Sequence, residues 1–171
     1  GWRGNKAAVL VAVMHNGTAL RFAKAKLNED RDVVLAAVNS EGYALRHASP
    51  GLKKDKEVVL AAVNSDGLAL QYAQGDLSAD KDLVLAAVIE NGEALQYASD
   101  ELKNDRQVVL AAVNSFGRAL QYAQGDLSAD KEVVLAAVGQ DRLALQYASD
   151  ELKNDRQVVL ATMRRSDNFS V

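Results

Sequence analysis

The sequence predicts an all-α fold, an α-solenoid of about thirteen short helices built from 25-residue helix–turn–helix repeats. One leucine series recurs every 25 residues without a slip, at Leu10, Leu35, Leu60, Leu85, Leu110, Leu135 and Leu160. A second leucine series follows ten residues later, and an Asp precedes every apolar run after the first. Because the spacing never changes, each unit is expected to pack on its neighbours in the same way, as in repeat proteins.

The chain of 171 residues is expected to form one domain over residues 1–171. The register gives repeats 5–29, 30–54, 55–79, 80–104, 105–129 and 130–154, with a half repeat over 155–171. A 50-residue order is superimposed, because residues 100–111 are identical to residues 150–161. Adjacent units are therefore expected to alternate slightly. Segments 1–6 and 164–171 are expected to cap the two ends.

The first half of each unit has the signals of a short α-helix, as the unit 55–79 illustrates. Asp55 is a good N-cap residue, and Glu57 places negative charge where the helix dipole is positive. The run 58–63 is apolar, and Gly67 suits a left-handed residue just past the helix end. These signals predict a helix of about ten residues. The run is apolar all round, which predicts a helix without a solvent-facing side that is covered from more than one direction.

The second half of the unit predicts another, shorter helix over residues 68–74. Ala69, Leu70 and Ala73 recur there at helical spacing, and Gly75 with Asp76 forms a polar turn before the next Asp. The rival interpretation makes the Val-Val-Leu-Ala-Ala-Val run a strand of a leucine-rich-repeat-like horseshoe. Its β-branched residues favour a strand, but the Asp caps, the Ala content and the absence of the leucine-rich-repeat pattern favour a helix.

Composition and motifs argue against most catalytic classes. The chain has no Cys, which excludes thiol catalysis, iron–sulfur clusters and Cys-ligated zinc, and only two His, His15 and His47. No phosphate loop, glycine fingerprint or Ser/His/Asp grouping is present, so we expect no enzyme activity, no metal and no cofactor. The longest apolar stretch is too short for a membrane span. The lack of Cys and of a leader in the chain as given favours an intracellular location.

Charge is distributed unevenly along the chain. Residues 1–56 carry ten basic and five acidic side chains, whereas residues 57–163 carry eight basic and seventeen acidic ones. The basic group includes Arg21, Lys24, Lys26, Lys53 and Lys54 and predicts contact with an acidic partner. Solvated helix ends are the alternative. The acidic body and the lack of a repeating basic stripe argue against nucleic acid binding.

Positions that vary while the repeat frame is kept are the other candidates for partner binding. They flank the glycine of each unit, and the candidates among them are Tyr43, Leu68, Phe116 and Arg118. Neutral variation of a loop is the alternative interpretation. The recurring Gln-Tyr pairs, such as Gln71-Tyr72, are explained either as a binding strip or as Tyr packing between units with Gln bonded along the repeats.

The stretch from Leu102 to Ala123, Leu-Lys-Asn-Asp-Arg-Gln-Val-Val-Leu-Ala-Ala-Val-Asn-Ser-Phe-Gly-Arg-Ala-Leu-Gln-Tyr-Ala, resembles the repeat family catalogued as domain of unknown function 4116. The resemblance covers nearly the whole chain and implies units of about two repeats, in line with the 50-residue order. It implies no activity, cofactor or catalytic residue. Arg142 in place of the repeat glycine and His47 in place of Tyr are departures from the pattern.

These features predict a non-enzymatic protein–protein interaction or scaffold module, a subunit or segment of a larger assembly. The partner is expected to be a protein, and neither its identity nor the oligomeric state follows from the residues. One alternative is a small-molecule-binding or enzymatic accessory domain with a groove that uses His15, His47 and Arg142. A passive spacer, whose surface residues would be freely replaceable, is the other.

Overall fold

The computed structural model describes residues 1–163, and the segment 164–171, expected to cap one end, lies outside the described residues. Within 1–163 the chain is all-helical and contains no strand. The first helix of each unit is an α-helix that begins directly after the Asp position, as the sequence predicts. These first helices are Lys6–His15, Arg31–Ser40, Lys56–Ser65, Lys81–Glu90, Arg106–Ser115, Lys131–Gln140 and Arg156–Met163.

The second helix of each unit is a 3₁₀ helix of six residues, longer than most helices of that type. One extended residue joins it to the first helix, such as Glu41 with φ −146° and ψ 111°. The second helices are Gly17–Phe22, Gly42–His47, Gly67–Tyr72, Gly92–Tyr97, Gly117–Tyr122 and Arg142–Tyr147. With the seven first helices, these six make up the thirteen helices expected from the repeat.

The linkers between units are also helical, where the sequence suggested polar turns. Four of them are 3₁₀ turns, at Ala25–Leu27, Leu52–Lys54, Gly75–Ala79 and Gly125–Ala129, and two are single α-turns, at Asp100–Lys103 and Asp150–Lys153. One backbone hydrogen bond joins each linker to the next, as between Ser99 N and Ser78 O at 2.8 Å. The segment Trp2–Gly4, expected to cap the first end, packs on the first helix of the first unit.

Each unit packs on both of its neighbours. Among the described residues, each first helix contacts the neighbouring first helices, its own second helix where one is described, and the second helix of the unit before it. Successive second helices also contact one another. The core lies between these two rows and consists of Val, Ala and Leu, with no buried polar or charged residue among those described. Because no unit encloses its own core, stability depends on the neighbours.

The first helices each keep one solvent-facing side, so the expectation of a helix without one is wrong. Val58 and Val59 face inward, but Leu60 and Ala61 are only half-buried, and Asn64 is exposed. The next unit follows the same arrangement, since Leu85 is half-buried and Ile89 is 65% exposed. The leucines at the 25-residue spacing therefore border the solvent-facing side of the first helices.

The repeat glycine is required for close packing between units and not, as expected, for a left-handed conformation. Among residues 1–163 a positive φ occurs only at Gly75 and Gly125, so the left-handed conformation expected at Gly67 is wrong. A Cβ on Gly67 would lie 2.3 Å from the carbonyl oxygen of Ala87, in the first helix of the next unit. Glycine is therefore required there because two backbones approach too closely for any side chain.

Candidate interaction surface

A row of ion pairs, which we call the ion-pair ladder, links the first helices at their N-terminal ends. Each first helix begins with Lys or Arg, and in all but the last described one that side chain reaches the capping Asp of the next unit. Lys81 Nζ lies 2.7 Å from Asp105 Oδ2, while Asp105 Oδ1 accepts from the amides of Gln107 and Val108 at 3.0 and 3.1 Å. The other rungs are Lys6–Asp30, Arg31–Asp55, Lys56–Asp80, Arg106–Asp130 and Lys131–Asp155.

Each capping Asp thus uses one oxygen for its own helix and the other for the preceding unit. The Lys81 ammonium lowers the pKa of the Asp105 carboxyl below its ordinary value, and Arg106 does the same to the pKa of Asp130. The ladder was not predicted from the sequence. The signal was the basic residue at each helix start, a position that the helix dipole disfavours.

Six basic side chains are bound to carboxylates in the ladder. Most of the basic side chains without an ion pair lie near the N-terminal end of the described chain. Within residues 1–54 of the described chain, seven basic side chains make no ion pair: Arg3, Arg21, Lys24, Lys26, Arg46, Lys53 and Lys54. They belong to the N-terminal segment, to the second helices of the first two units and to the linkers that follow. The three candidates predicted in this region, Arg21, Lys53 and Lys54, are all among them.

Several of these cations surround aromatic rings, and we call Arg3, Arg21, Phe22, Arg46, His47 and Lys53 the basic–aromatic cluster. The Arg21 guanidinium lies 4.3 Å from the centroid of the Phe22 ring, and that of Arg3 lies 5.6 Å from it. Phe22 is 42% exposed. Stacking of this kind holds a guanidinium plane in a defined orientation and leaves its N–H donors available.

The charges of the cluster act on one another. Burial lowers the pKa of His47, and the nearby Arg46, Arg21 and Lys53 cations lower it further. Burial and Arg46 likewise lower the pKa of Lys53. Arg21 and Lys53 were predicted from the sequence as candidates, but the position of Arg46 and His47 beside them was not. His47 was noted as a departure from the repeat, and Arg46 is a second departure, since the later units have Gln and Tyr at these two positions.

Tyr43 joins this cluster to a row of tyrosines. Its hydroxyl accepts from Arg46 Nη1 at 2.7 Å, and its ring meets that of Tyr72 edge-on, with centroids 5.3 Å apart. Burial and the contact with Tyr43 raise the pKa of Tyr72 to about 12. Tyr43 is 38% exposed, so the candidate predicted at this position lies at the surface beside the cluster.

Of the remaining predicted residues, Leu68 and Arg118 lie in second helices and Phe116 directly precedes one, and none of the three belongs to the cluster. Leu68 and Phe116 are half-buried and pack against the core, and the Cβ of Phe116 lies close to Gly92 of the preceding unit. Arg118 is bound through Nε to Asp141 in the next unit. Tyr43, Arg21 and Lys53 therefore lie in or beside the cluster, whereas Lys54 lies near Gly75 of the next unit. Phe116 and Arg118 contact neighbouring units.

The Gln-Tyr pairs support the repeats, in a way that differs partly from the expected one. Tyr72, Tyr97, Tyr122 and Tyr147 are half-buried against the core. Gln71, however, donates from Nε2 to the carbonyl oxygen of Leu68 at 3.0 Å, and Gln96 and Gln146 do the same within their own helices. Each of these glutamines therefore stabilises its own second helix and, among the described residues, makes no hydrogen bond to the glutamine of a neighbouring unit.

Open grooves occur at both ends of the described chain. One of about 610 Å³ is lined by Gly4, Lys24, Ala25, Lys26 and Leu27, and one of about 400 Å³ lies along the last helix between Lys131 and Ala161. Neither contains His15, His47 or Arg142, the residues of the alternative groove. Among residues 1–163 no group of three or more His, Asp or Glu is placed to hold a metal ion. No helix described there has the length and apolar character of a membrane span.

The fold and this surface define a helical repeat protein whose units pack on one another in a fixed register. A family model described as domain of unknown function (DUF4116) matches residues 5–53, 30–78, 80–127 and 130–169. The chain therefore belongs to the DUF4116 family, as the resemblance implied. The matched segments span about two of the 25-residue units each. No curated protein and no solved structure matches the chain.

Proposed function

We propose that the chain is a non-enzymatic protein-interaction module, an α-solenoid that binds an acidic segment of a partner protein. One observation carries the proposal. Seven basic side chains over residues 1–54 make no ion pair within the described chain, whereas the basic residue at the start of each first helix up to Lys131 is bound to the next unit. Cations without internal partners are available to an external anion.

The solenoid part of the proposal rests on the neighbour-to-neighbour packing. Each unit contacts the preceding and the following unit through both helix rows, with one register throughout. Such an arrangement presents equivalent positions of successive units side by side. Residues 1–171 would then form a single elongated domain, with a scaffold role in a larger assembly.

The aromatic residues add contact area to the basic end. Phe22 and Tyr43 are partly exposed beside Arg21 and Arg46. Aromatic and Arg side chains carry much of the binding energy in protein interfaces, and aromatic rings bury a large area with few rotatable bonds. The proposed surface thus combines cations for recognition of an acidic segment with rings for its apolar side chains.

A fluorescently labelled peptide rich in Asp and Glu tests the proposal by anisotropy. We expect binding that weakens as salt rises, and a loss of affinity of about tenfold or more in the variant Lys53→Glu/Lys54→Glu. Lys103→Glu/Lys153→Glu is the charge-matched control, because these two lysines occupy the position of Lys53 two and four units later. Equal losses in both variants, or no binding by the unmodified protein, would contradict the proposal.

A further inference from the structure

The first two units depart from the repeat at several positions that converge in space. Units 3 to 6 have Gln at positions 71, 96, 121 and 146, followed by Tyr, whereas the first two units have Arg21-Phe22 and Arg46-His47. The two second helices that carry these pairs contact each other. Adjacent units therefore place two guanidinium groups and an imidazole side by side where the later units have neutral amides and phenols.

The two arginines are oriented by rings and have no carboxylate partner. Arg21 lies over Phe22, and Arg46 donates to the Tyr43 hydroxyl at 2.7 Å. Neither guanidinium makes an ion pair with any described residue, and Lys53 from the adjoining linker has none either. Like charges brought together without a counter-ion repel one another, and a bound anion relieves that repulsion.

We propose that Arg21, Arg46, His47 and Lys53 bind a phosphate monoester carried by a phosphorylated side chain of the partner segment. The proposal rests on the function proposed above and names the partner group. A carboxylate carries a single charge, whereas a phosphate monoester carries about −1.5 to −2 at neutral pH and offers three acceptor oxygens. Two guanidinium forks, an ammonium and an imidazole match that number of acceptors and that charge better than they match one carboxylate.

The charge of the remaining chain favours a short peptide over an extended polyanion. Residues 57–163 carry seventeen acidic and eight basic side chains. A membrane surface or a nucleic acid strand laid along the repeats would meet this acidic body and be repelled, whereas a phosphorylated segment confined to the first two units would not.

Three peptides of one sequence, with phosphoserine, serine or glutamate at the central position, test this inference by calorimetry. We expect the phosphoserine peptide to bind about tenfold or more tightly than either of the others. Arg21→Gln/Arg46→Gln should abolish that preference, and it restores the residue found in the later units, so that folding is retained. Arg142→Gln/Arg156→Gln, at two exposed arginines of the later units, removes the same two charges and is the charge-matched control that should keep the preference.

Each other result overturns the inference. Equal affinity for the glutamate and phosphoserine peptides would show that the site binds acidic segments in general and does not prefer a phosphate. The proposed function would then still hold. Retention of the preference by the double arginine variant would place the phosphate elsewhere. Stronger binding to phosphoinositide vesicles or to a single-stranded oligonucleotide than to the phosphopeptide would identify another class of partner. Failure to bind any acidic peptide would contradict the proposed function as well.

Discussion

The repeat glycine shows how one residue controls the distance between units. A Cβ built on Gly92 would lie 2.2 Å from the carbonyl oxygen of Ala112 and 2.8 Å from the Cβ of Phe116. Those atoms belong to the first helix of the next unit and to the residue that ends it. Backbone atoms at such a distance can move apart only if the two units separate.

We therefore predict that Gly92→Ala destabilises the protein by about 1–3 kcal/mol, the range of overpacking in a filled core. Gly139→Ala is the control, because a Cβ on Gly139, inside a first helix, would meet nothing within 4 Å beyond its chain neighbours and the adjoining backbone of its own helix. Helix propensity predicts that this control is neutral or stabilising by up to about 1 kcal/mol. Chemical denaturation of both variants measures the difference, and equal midpoints would contradict the close-approach explanation.

Arg142 occupies the equivalent glycine position in the sixth unit and is exposed. The helix that follows ends its described part at Met163, and Leu160 there is 43% exposed. Leu145, in the second helix of this unit, is only half-buried, whereas its counterpart Leu120 is 2% exposed. Leu145 and Leu160 are therefore more exposed than their counterparts in the preceding units, in the last described part of the chain, where the repeat also lacks its glycine.

At the scale of the helix, each capping Asp makes two interactions, an N-cap and an ion pair, and different substitutions of that Asp remove one or both of them. Asp105 caps its own helix through one oxygen and binds Lys81 through the other. Asn can replace the cap, as Asn5 does in the first unit by accepting from the amide of Ala8. Asn cannot replace the ion pair.

We predict that Asp105→Ala costs about 0.5–2 kcal/mol, the range for loss of an N-cap, and that Asp105→Asn costs only a few tenths. The half-exposed ion pair is screened by salt, so the small loss in Asp105→Asn should disappear at about 1 M NaCl, while the loss in Asp105→Ala should remain. Urea unfolding at the two salt concentrations provides the measurement. A loss in Asp105→Asn as large as that in Asp105→Ala would show that the ion pair outweighs the cap.

The helix positions followed from the sequence because their signals are local. Asp55 caps the helix that begins at the next residue, and the turn after Ser65 ends it. The reason for Gly67 was not predictable in the same way, since its partner Ala87 lies twenty residues further along the chain. Only part of the candidate surface was predicted from the sequence. Lys53 followed from charge density, whereas the placement of His47 among cations depends on contacts between units.

At the scale of the whole molecule, the ladder makes stability depend on pH. The Lys or Arg of the preceding unit lowers the folded-state pKa of Asp30, Asp80, Asp105, Asp130 and Asp155. The unfolded chain therefore binds protons more readily at these carboxyls. Their contribution to stability is present above the unfolded value of about 3.9 and is lost as pH falls through the lower folded values.

We expect the melting temperature to fall steeply as the pH drops below about 4, because the capping carboxylates then become protonated. His47 adds a smaller decrease that begins near pH 6.5, since its folded-state pKa is lowered as well. His47→Tyr, which restores the repeat residue, should remove only the decrease near pH 6.5. Calorimetric scans from about pH 2 to pH 8 give both profiles. A melting temperature that stays constant over that whole range would contradict the role of the ladder.

Two kinds of linker alternate along the repeat, and this alternation limits how such a chain can change its length. Linkers of even-numbered units begin with a Ser that accepts from the amide three residues on, as at Ser99 and Ser149, whereas those of units 3 and 5 contain a left-handed glycine. Gly125 lies against the Asn104 side chain, which the odd-numbered units lack. Losing one unit would bring two linkers of the same kind together, but losing two would recreate a junction already present. These contacts therefore favour a gain or loss of fifty residues at a time. We expect natural length variants of this repeat to differ by whole pairs of 25-residue units.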